Sequence, residues 1–357
     1  MSRNTVLVDL ERLRYPHSGI AKVFSALSLG LSEMDLQDLD VVFYGPKENI
    51  PVKGFKNIDW KKHQKFNPFF GNRYPLVHVS HQLSSYFHHK PQSQRKIVTL
   101  HDLNFLHEDF SQAKLKRNIQ RVNKNVSNAD VVVCISEFVK EDYLKNRHLF
   151  SIRTEQKVDV IYNGLQFPED RKFEQKFPLL KGKKYFLNIG VLFPKKNQMS
   201  LLKIISELEE DLVMVVSGGK KDYEKQVLDF IADNNLSHKV HILRNISDAE
   251  KYSLIQNCEA LLHPSLAEGF GIPPIEAMYF GKPVFLSKLT SLPEIGGDAA
   301  FYFEGFEPEE MLQTIRNGIK AFSKDSSFQE KLKSHAKKFS YERMAREYFE
   351  LYRKVSS

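Results

Sequence analysis

With 357 residues, this chain is longer than one hydrophobic core organises comfortably, so two domains are expected. Hydrophobic residues make up 41% and charged residues 27%, with ordinary glycine and proline, which excludes disordered and fibrous classes. The net charge of +8 favours anionic partners: phosphates, nucleic acid or an acidic membrane surface.

No apolar run approaches the roughly 18–20 residues that a membrane-spanning helix needs, and MSRNTVLVDL passes into an apolar strand without the layout of a signal peptide. A cytoplasmic location is therefore expected. The two cysteines, Cys134 and Cys258, lie beside strand-like apolar runs and read as inert buried thiols, not as a disulfide framework or metal site.

Along the first half, the strands read NTVLVDL, DVVFYG, PLVHVS, RKIVTL, ADVVVCIS and VDVIYNG, separated by helix-period stretches in the pattern of βαβ units. After the first strand comes HSGIAKV, where Gly19 lets backbone approach a ligand; an ordinary strand-to-helix turn is an equal reading. His101 and Asp102 follow RKIVTL, and on residues alone a histidine beside an aspartate is more often structural. In SQAKLKRNIQRVNKN, at ~100° per residue, Lys114, Arg117, Arg121 and Lys124 share a narrow arc opposite Leu115, Ile119, Val122 and Val126. Such a face is either a solvated surface or a docking face for an acidic membrane, and the two readings stand level. Ser136 reads as a helix N-cap.

QFPEDRKFEQKFPLLKGKK (166–184) lacks periodicity and reads as a linker, after which the strand pattern restarts: KYFLNIG, LVMVVSGG, KVHILR, EALLHPS, KPVFLS and AAFYFE. Ser247 with Glu250 and Ser291 with Glu294 both have capping-box spacing, which assigns Glu294 a structural role. The final stripe of Phe339, Met344, Tyr348, Leu351 and Val355 predicts an amphipathic helix that packs back towards the N-terminal domain as it crosses both. The expected partition is 1–170, 171–338 and a terminal helix over 339–357.

Neither GxGxxG after the first strand nor GxxxxGK[ST] is present, so any phosphate is bound by another device. HPSLAEGFGIPPIEAMYFGKPV (263–284) supplies a candidate at the carboxyl end of a strand, where open α/β sheets bind ligands. Pro273 and Pro274 pre-set the first helical turn and push the amide donors back onto Gly269, Phe270, Gly271 and Ile272. Carboxylates are poor phosphate neighbours, so Glu268 and Glu276 on either side suit hydroxyls, the order presented by a nucleoside diphosphate sugar. Lys195 and Lys196, in a loop following Gly190, offer the counter-charge.

These segments, together with SLPEIGGDAAFYF, resemble the C-terminal domain of glycosyltransferase family 4, the retaining GT-B enzymes. Glu268 and Glu276 match its Glu-x7-Glu signature. The resemblance implies an α/β fold of two doubly wound Rossmann-like domains facing a cleft, the first binding acceptor and the second a nucleotide sugar. It further implies that Lys196 with Lys195 binds the donor diphosphate, Glu268 contacts the transferred hexose, Glu276 holds the ribose, and His101, with Asp102 and Gly19 nearby, lies at the transferred sugar. Two departures stand out: Val191 follows Gly190 where the family often has arginine, and Lys195 precedes Lys196 where it usually has arginine.

The expected activity is transfer of a hexose, with retention, to a hydroxyl of a glycan or lipid-linked acceptor in surface polysaccharide synthesis. The flavour of bacterial O-antigen mannosyltransferases points to GDP-mannose. No metal or cofactor is expected, and no nucleic-acid partner. Peripheral association with the inner face of the cell membrane goes with the docking reading of the basic arc. The competing readings are a catalytically idle nucleotide-sugar-binding partner subunit and a GT-B epimerase.

Overall fold

The computed structural model describes residues 4–108, 110–169 and 171–356, and two compact units emerge from it: Met1–Gln166 with Phe339–Ser357, and Phe167–Lys338. Asp170, where the expected boundary falls, lies outside the described residues.

The first unit is a parallel sheet of β1 (Thr5–Asp9), β2 (Asp40–Gly45), β3 (Lys56–Asp59), β4 (Leu76–Val79), β5 (Arg95–Leu100), β6 (Val131–Cys134) and β7 (Lys157–Val160). Its spatial order is β3-β2-β1-β4-β5-β6-β7. Strands such as TVLVD are buried at every position because helices cover both faces of a parallel sheet, which is why they read as unbroken apolar runs. The strand KNID of β3 escapes that reading: it is a short edge strand with exposed ends and polar side chains, as edges of sheets tend to be. The helices of this unit are α1 (Gly19–Ser32), α2 (Gln112–Val126), α3 (Glu137–Lys145) and, from the far end of the chain, α11 (Tyr341–Ser356).

The second unit repeats the plan with β8 (Tyr185–Leu192), β9 (Asp211–Gly219), β10 (Val240–Arg244), β11 (Ala260–His263), β12 (Val284–Ser287) and β13 (Phe301–Phe303), in the order β10-β9-β8-β11-β12-β13. Its helices are α4 (Gln198–Leu202), α5 (Lys221–Asp233), α6 (Asp248–Asn257), α7 (Ile272–Tyr279), α8 (Leu292–Gly296), α9 (Pro308–Lys324) and α10 (Phe328–Lys337). Each sheet turns outward from its first strand in both directions, so each has a switch point beside β1 or β8 where a ligand crevice opens.

One expectation needs correction. The stretch read as a linker belongs to the second unit: Phe173 is buried, its amide donates to Gln256 Oε1 at 2.8 Å, and its ring packs 5.5 Å from Tyr252. The terminal helix, expected to pack back towards the N-terminal domain, belongs to the first unit. It lies on α1, where a Cβ on Gly30 would stand 2.6 Å from Ala345 Cβ, so glycine permits the approach. Its Tyr352 hydroxyl meets His78 Nδ1 at 2.6 Å, and its Tyr348 hydroxyl meets Thr99 Oγ1 at 2.9 Å. His78 is fully buried, and burial, followed by the proximity of the His101 imidazole, pushes its own imidazole down to about 3.

Candidate functional site

In the second unit, β8 shifts register against β9 between Gly190 and Leu192, and the chain then turns through Pro194–Lys196. A bulge of this kind re-aims a strand end. Asn197 closes the turn in the left-handed region (φ 54°), and the stem of Lys196 lies over Gly190, whose missing Cβ would be 4.0 Å from Lys196 Cδ. The turn is tied to the loop after β11: Lys195 carbonyl accepts from Leu266 N–H at 2.7 Å and from Ser265 Oγ at 3.1 Å. The lysines and the glutamate loop therefore form one assembly.

At its centre, Lys196 Nζ and His263 Nε2 both meet Glu268 Oε1, the histidine at 2.8 Å. Burial by itself would push the Glu268 carboxyl up, but Lys196 and His263 outweigh it and hold it well below the usual carboxylate range. Glu268 is thus ionised at neutral pH, with one oxygen engaged. Its backbone is clamped as well. Glu268 N–H donates to Thr290 Oγ1 at 3.1 Å, and Ser291 Oγ donates to the carbonyls of Glu268 (3.1 Å) and Phe270 (2.9 Å).

That use of Ser291 corrects the expected capping box at Ser291 and Glu294. Ser291 is already helical in φ and ψ and makes no side-chain cap, because its hydroxyl holds the glutamate loop. Thr290, a β-branched residue at φ 54°, bears the strained conformation that presents both hydroxyls to that loop. The capping box at Ser247 and Glu250 forms as expected.

Gly269, Phe270 and Gly271 lead into α7, whose first turn holds Pro273 and Pro274 and whose N-cap, Gly271, sits at φ 120°, a region only glycine occupies comfortably. Phe270 is buried. From α7, Glu276 Oε1 meets Lys251 Nζ of α6, and both side chains are nearly buried. The sequence reading missed this partner of Glu276.

The first unit carries the remaining candidates, of which His101 and Asp102 directly follow β5. His101 is buried; its N–H donates to Gln82 Oε1 at 3.1 Å, and its Nε2 meets Ser80 carbonyl at 2.8 Å, which places the proton on Nε2. Burial lowers its pKa, so the ring is neutral at physiological pH. Its ring stands 5.4 Å from that of His81, whose Nδ1 lies 3.2 Å from Arg12 Nη2. Close by, Asp9 is fully buried, and desolvation pushes its carboxyl up to about 7. Asp102 caps a turn: its Oδ1 accepts from Asn104 N–H at 3.0 Å. Gly19 is the first residue of α1 behind the N-cap Ser18, so the ordinary turn is what this segment makes. On α2, Lys114, Arg117, Arg121 and Lys124 are all exposed, while Val122 and Val126 are buried. Ser136 caps α3 through Val139 N–H, as expected.

Residues 169–339 match the family model described as Glycosyl transferases group 1. The chain carries a group 1 glycosyltransferase domain. That domain coincides with the second unit, so the Lys196–Glu268–His263 assembly lies inside it. The O-antigen chain mannosyltransferase RfbU of Salmonella typhimurium is 28% identical over 70% of this chain and 65% of its own length, just under two thirds of the relative. The O-antigen chain mannosyltransferase B of Escherichia coli is 23% identical over 94% of this chain and 96% of its own length. Among solved structures, Anabaena Alr3699/HepE in complex with UDP-glucose superposes with a TM-score of 0.72 at 16% identity, covering 98% of this chain and all of that one. The expected GT-B class of two Rossmann-like units is borne out.

Outside the expected set, the glycosyltransferase domain adds His263, Thr290, Ser291 and Lys251 to the assembly. His263 was open to sequence reading as the polar end of an apolar strand; the other three become visible only when α6, α8 and the glutamate loop meet.

Proposed function

We propose that the protein transfers a hexose, with retention of anomeric configuration, from a nucleoside diphosphate sugar to a hydroxyl of a glycan or lipid-linked acceptor in surface polysaccharide synthesis, and that the donor is GDP-mannose. The observation that carries the reading is Glu268: an ionised carboxylate at the carboxyl edge of the second sheet, held by Lys196 and His263 on one oxygen. The mannosyltransferase relatives support the choice of mannose.

In this reading Lys195 and Lys196 take the donor diphosphate, with the mouth of α7 and Gly190 allowing its close approach. Lys196 exchanges Glu268 for phosphate oxygens, and Glu268 turns to hydroxyls of the transferred hexose. Glu276 has Oε1 on Lys251 and accepts from a ribose hydroxyl through Oε2. As the bond from the anomeric carbon to the diphosphate oxygen breaks, the lysines stabilise the charge that develops on the leaving group. The acceptor oxygen bonds to the anomeric carbon on the same face, and its proton passes to the leaving phosphate oxygen. Neutral His101, with its proton on Nε2, is assigned to the sugar end of the acceptor unit. The exposed cationic face of α2 is assigned to acidic lipid head groups at the inner face of the membrane.

Radiolabelled GDP-mannose with a lipid-linked glycan extract tests the activity. Wild type transfers label to the acceptor, and Glu268→Gln, nearly isosteric, loses transfer by about a hundredfold or more while its circular dichroism at the assay temperature stays that of the folded protein. Equal turnover in Glu268→Gln would sink the assignment. Donor consumed without acceptor would point to an epimerase.

A further inference from the structure

Among the described residues, the two most exposed large hydrophobic side chains are Phe66 (76%) and Phe69 (64%), three positions apart on one loop of the first unit between β3 and β4. Exposed single apolar residues are ordinary, but two phenylalanines on one protrusion mark an interaction surface. The loop is held in shape from within. Gln64 Oε1 accepts from Lys61 N–H at 2.6 Å and from Tyr44 OH at 3.0 Å. The Phe70 ring packs 4.9 Å from Tyr44 and 5.3 Å from Phe87, and Gln94 Nε2 donates to the carbonyls of Gly71 and Tyr74 at 2.8 Å each. Phe70 thus anchors the loop while Phe66 and Phe69 are left outside.

The setting is cationic. From Trp60 to His101 the chain carries seven lysines and arginines and no aspartate or glutamate; Lys90 and Arg95 pair with Asp130 and Lys96 is buried, which leaves Lys61, Lys62, Lys65 and Arg73 as the cations of the loop. Lys61, Lys62, Lys65 and Arg73 are exposed, and Lys65 Nζ lies 4.8 Å from the Phe66 ring centroid. The loop is also joined to α2. The Phe69 ring lies 5.2 Å from His89, whose Nδ1 meets Asn72 Nδ2 at 3.0 Å. The preceding His88 carbonyl accepts from Asn128 at 2.7 Å, just past the end of α2, and Asn125 of α2 donates to the carbonyls of Gln82 and Ser84.

We infer that residues 61–70 form a membrane-inserting loop, in which Phe66 and Phe69 enter the acyl boundary of an anionic bilayer while Lys61, Lys62 and Lys65 meet its head groups. Charge complementarity selects the occupant: apolar rings flanked by Lys61, Lys62 and Lys65 fit a surface that is apolar within and negative at its rim. This extends the assignment of α2 to acidic lipid from adhesion to insertion, and the two fail separately because salt screens adhesion but not apolar burial.

The test is flotation of the full chain with vesicles of phosphatidylglycerol and phosphatidylcholine at low and at molar salt, beside pure phosphatidylcholine. Wild type floats with anionic vesicles at low salt and keeps a bound fraction at molar salt. Phe66→Ser/Phe69→Ser loses that salt-resistant fraction, its partition falling about tenfold or more, and keeps low-salt binding. Both side chains are exposed, so its melting temperature stays that of wild type. Arg117→Glu/Arg121→Glu tests α2 alone: it weakens low-salt binding and spares the salt-resistant fraction. A phenylalanine variant that retains wild-type salt resistance overturns the loop inference whatever α2 does, and so does a wild type that never floats. If the substitutions instead convert a dimer to a monomer on a sizing column, the loop binds a second copy and the inference is equally overturned.

Discussion

Glu268 accepts from two donors on one oxygen, and only one of them is free to leave. Lys196 is the group a diphosphate attracts, whereas His263, at the end of β11 and nearly buried, stays where the strand puts it. His263 is therefore a positioning residue in the proposed reaction: it keeps the carboxylate oriented and ionised once Lys196 has turned to phosphate. Losing a hydrogen bond to a charged group costs about 1.5–3 kcal/mol, so His263→Phe should lower kcat roughly tenfold or more with donor affinity little changed. Because that bond lowers the carboxyl pKa, its loss raises it, and the acid limb of the kcat profile moves to higher pH. His263→Gln, whose amide can donate to the same oxygen, should restore most of the rate and the limb. A uniform loss in both variants, with no movement of the limb, would reduce His263 to packing. In the sequence, a lone histidine closing an apolar strand reads as core, and its role rests on a carboxylate brought back by the loop that Thr290 and Ser291 clamp.

Between elements, the join of α6 to α7 is the buried pair of Lys251 and Glu276. Removing one charge of such a buried pair costs about 3–5 kcal/mol, whereas replacing both with apolar residues is often nearly neutral; Asp248, 3.7 Å from Lys251 Nζ, places Glu276→Gln at the lower end of that range. Urea unfolding should accordingly show Glu276→Gln destabilised by about 3 kcal/mol and Lys251→Met/Glu276→Leu close to wild type. A stable Glu276→Gln would mean that Glu276 serves the donor alone. Lys251 was hidden because α6 begins with a capping box and reads as a solvent-facing helix, and burial of its lysine requires α7 alongside. The same logic explains Ser291, where the spacing of a capping box was present and a stronger demand for its hydroxyl prevailed. The edge strand β3 and the linker stretch were misread for a shared reason: polar, irregular composition carries no period, so whether it pairs or packs is settled only by its neighbours.

Across the molecule, what was readable is what depends on local pattern. Among the described residues, twelve of the thirteen strands were visible because parallel strands buried on both faces become apolar runs, and both sheets follow from their alternation with helices. The two glutamates, the lysine turn and the Gly271 entry to α7 were legible because each lies just past such a strand, and the fold brings Lys195, Lys196 and Glu268 into one assembly. Phe66 and Phe69 were not, since composition cannot separate a phenylalanine that packs from one that protrudes. The proposed transfer depends most heavily on that assembly being a nucleotide site. A thermal-shift comparison of GDP, UDP, ADP and dTDP tests it directly, because a ligand bound only by the native state at a hundredfold excess over Kd adds about 2.7 kcal/mol of stability. The account predicts a rise in melting temperature with GDP that disappears in Lys195→Ala/Lys196→Ala. No shift with any nucleotide, or the same shift in the lysine variant, would contradict it.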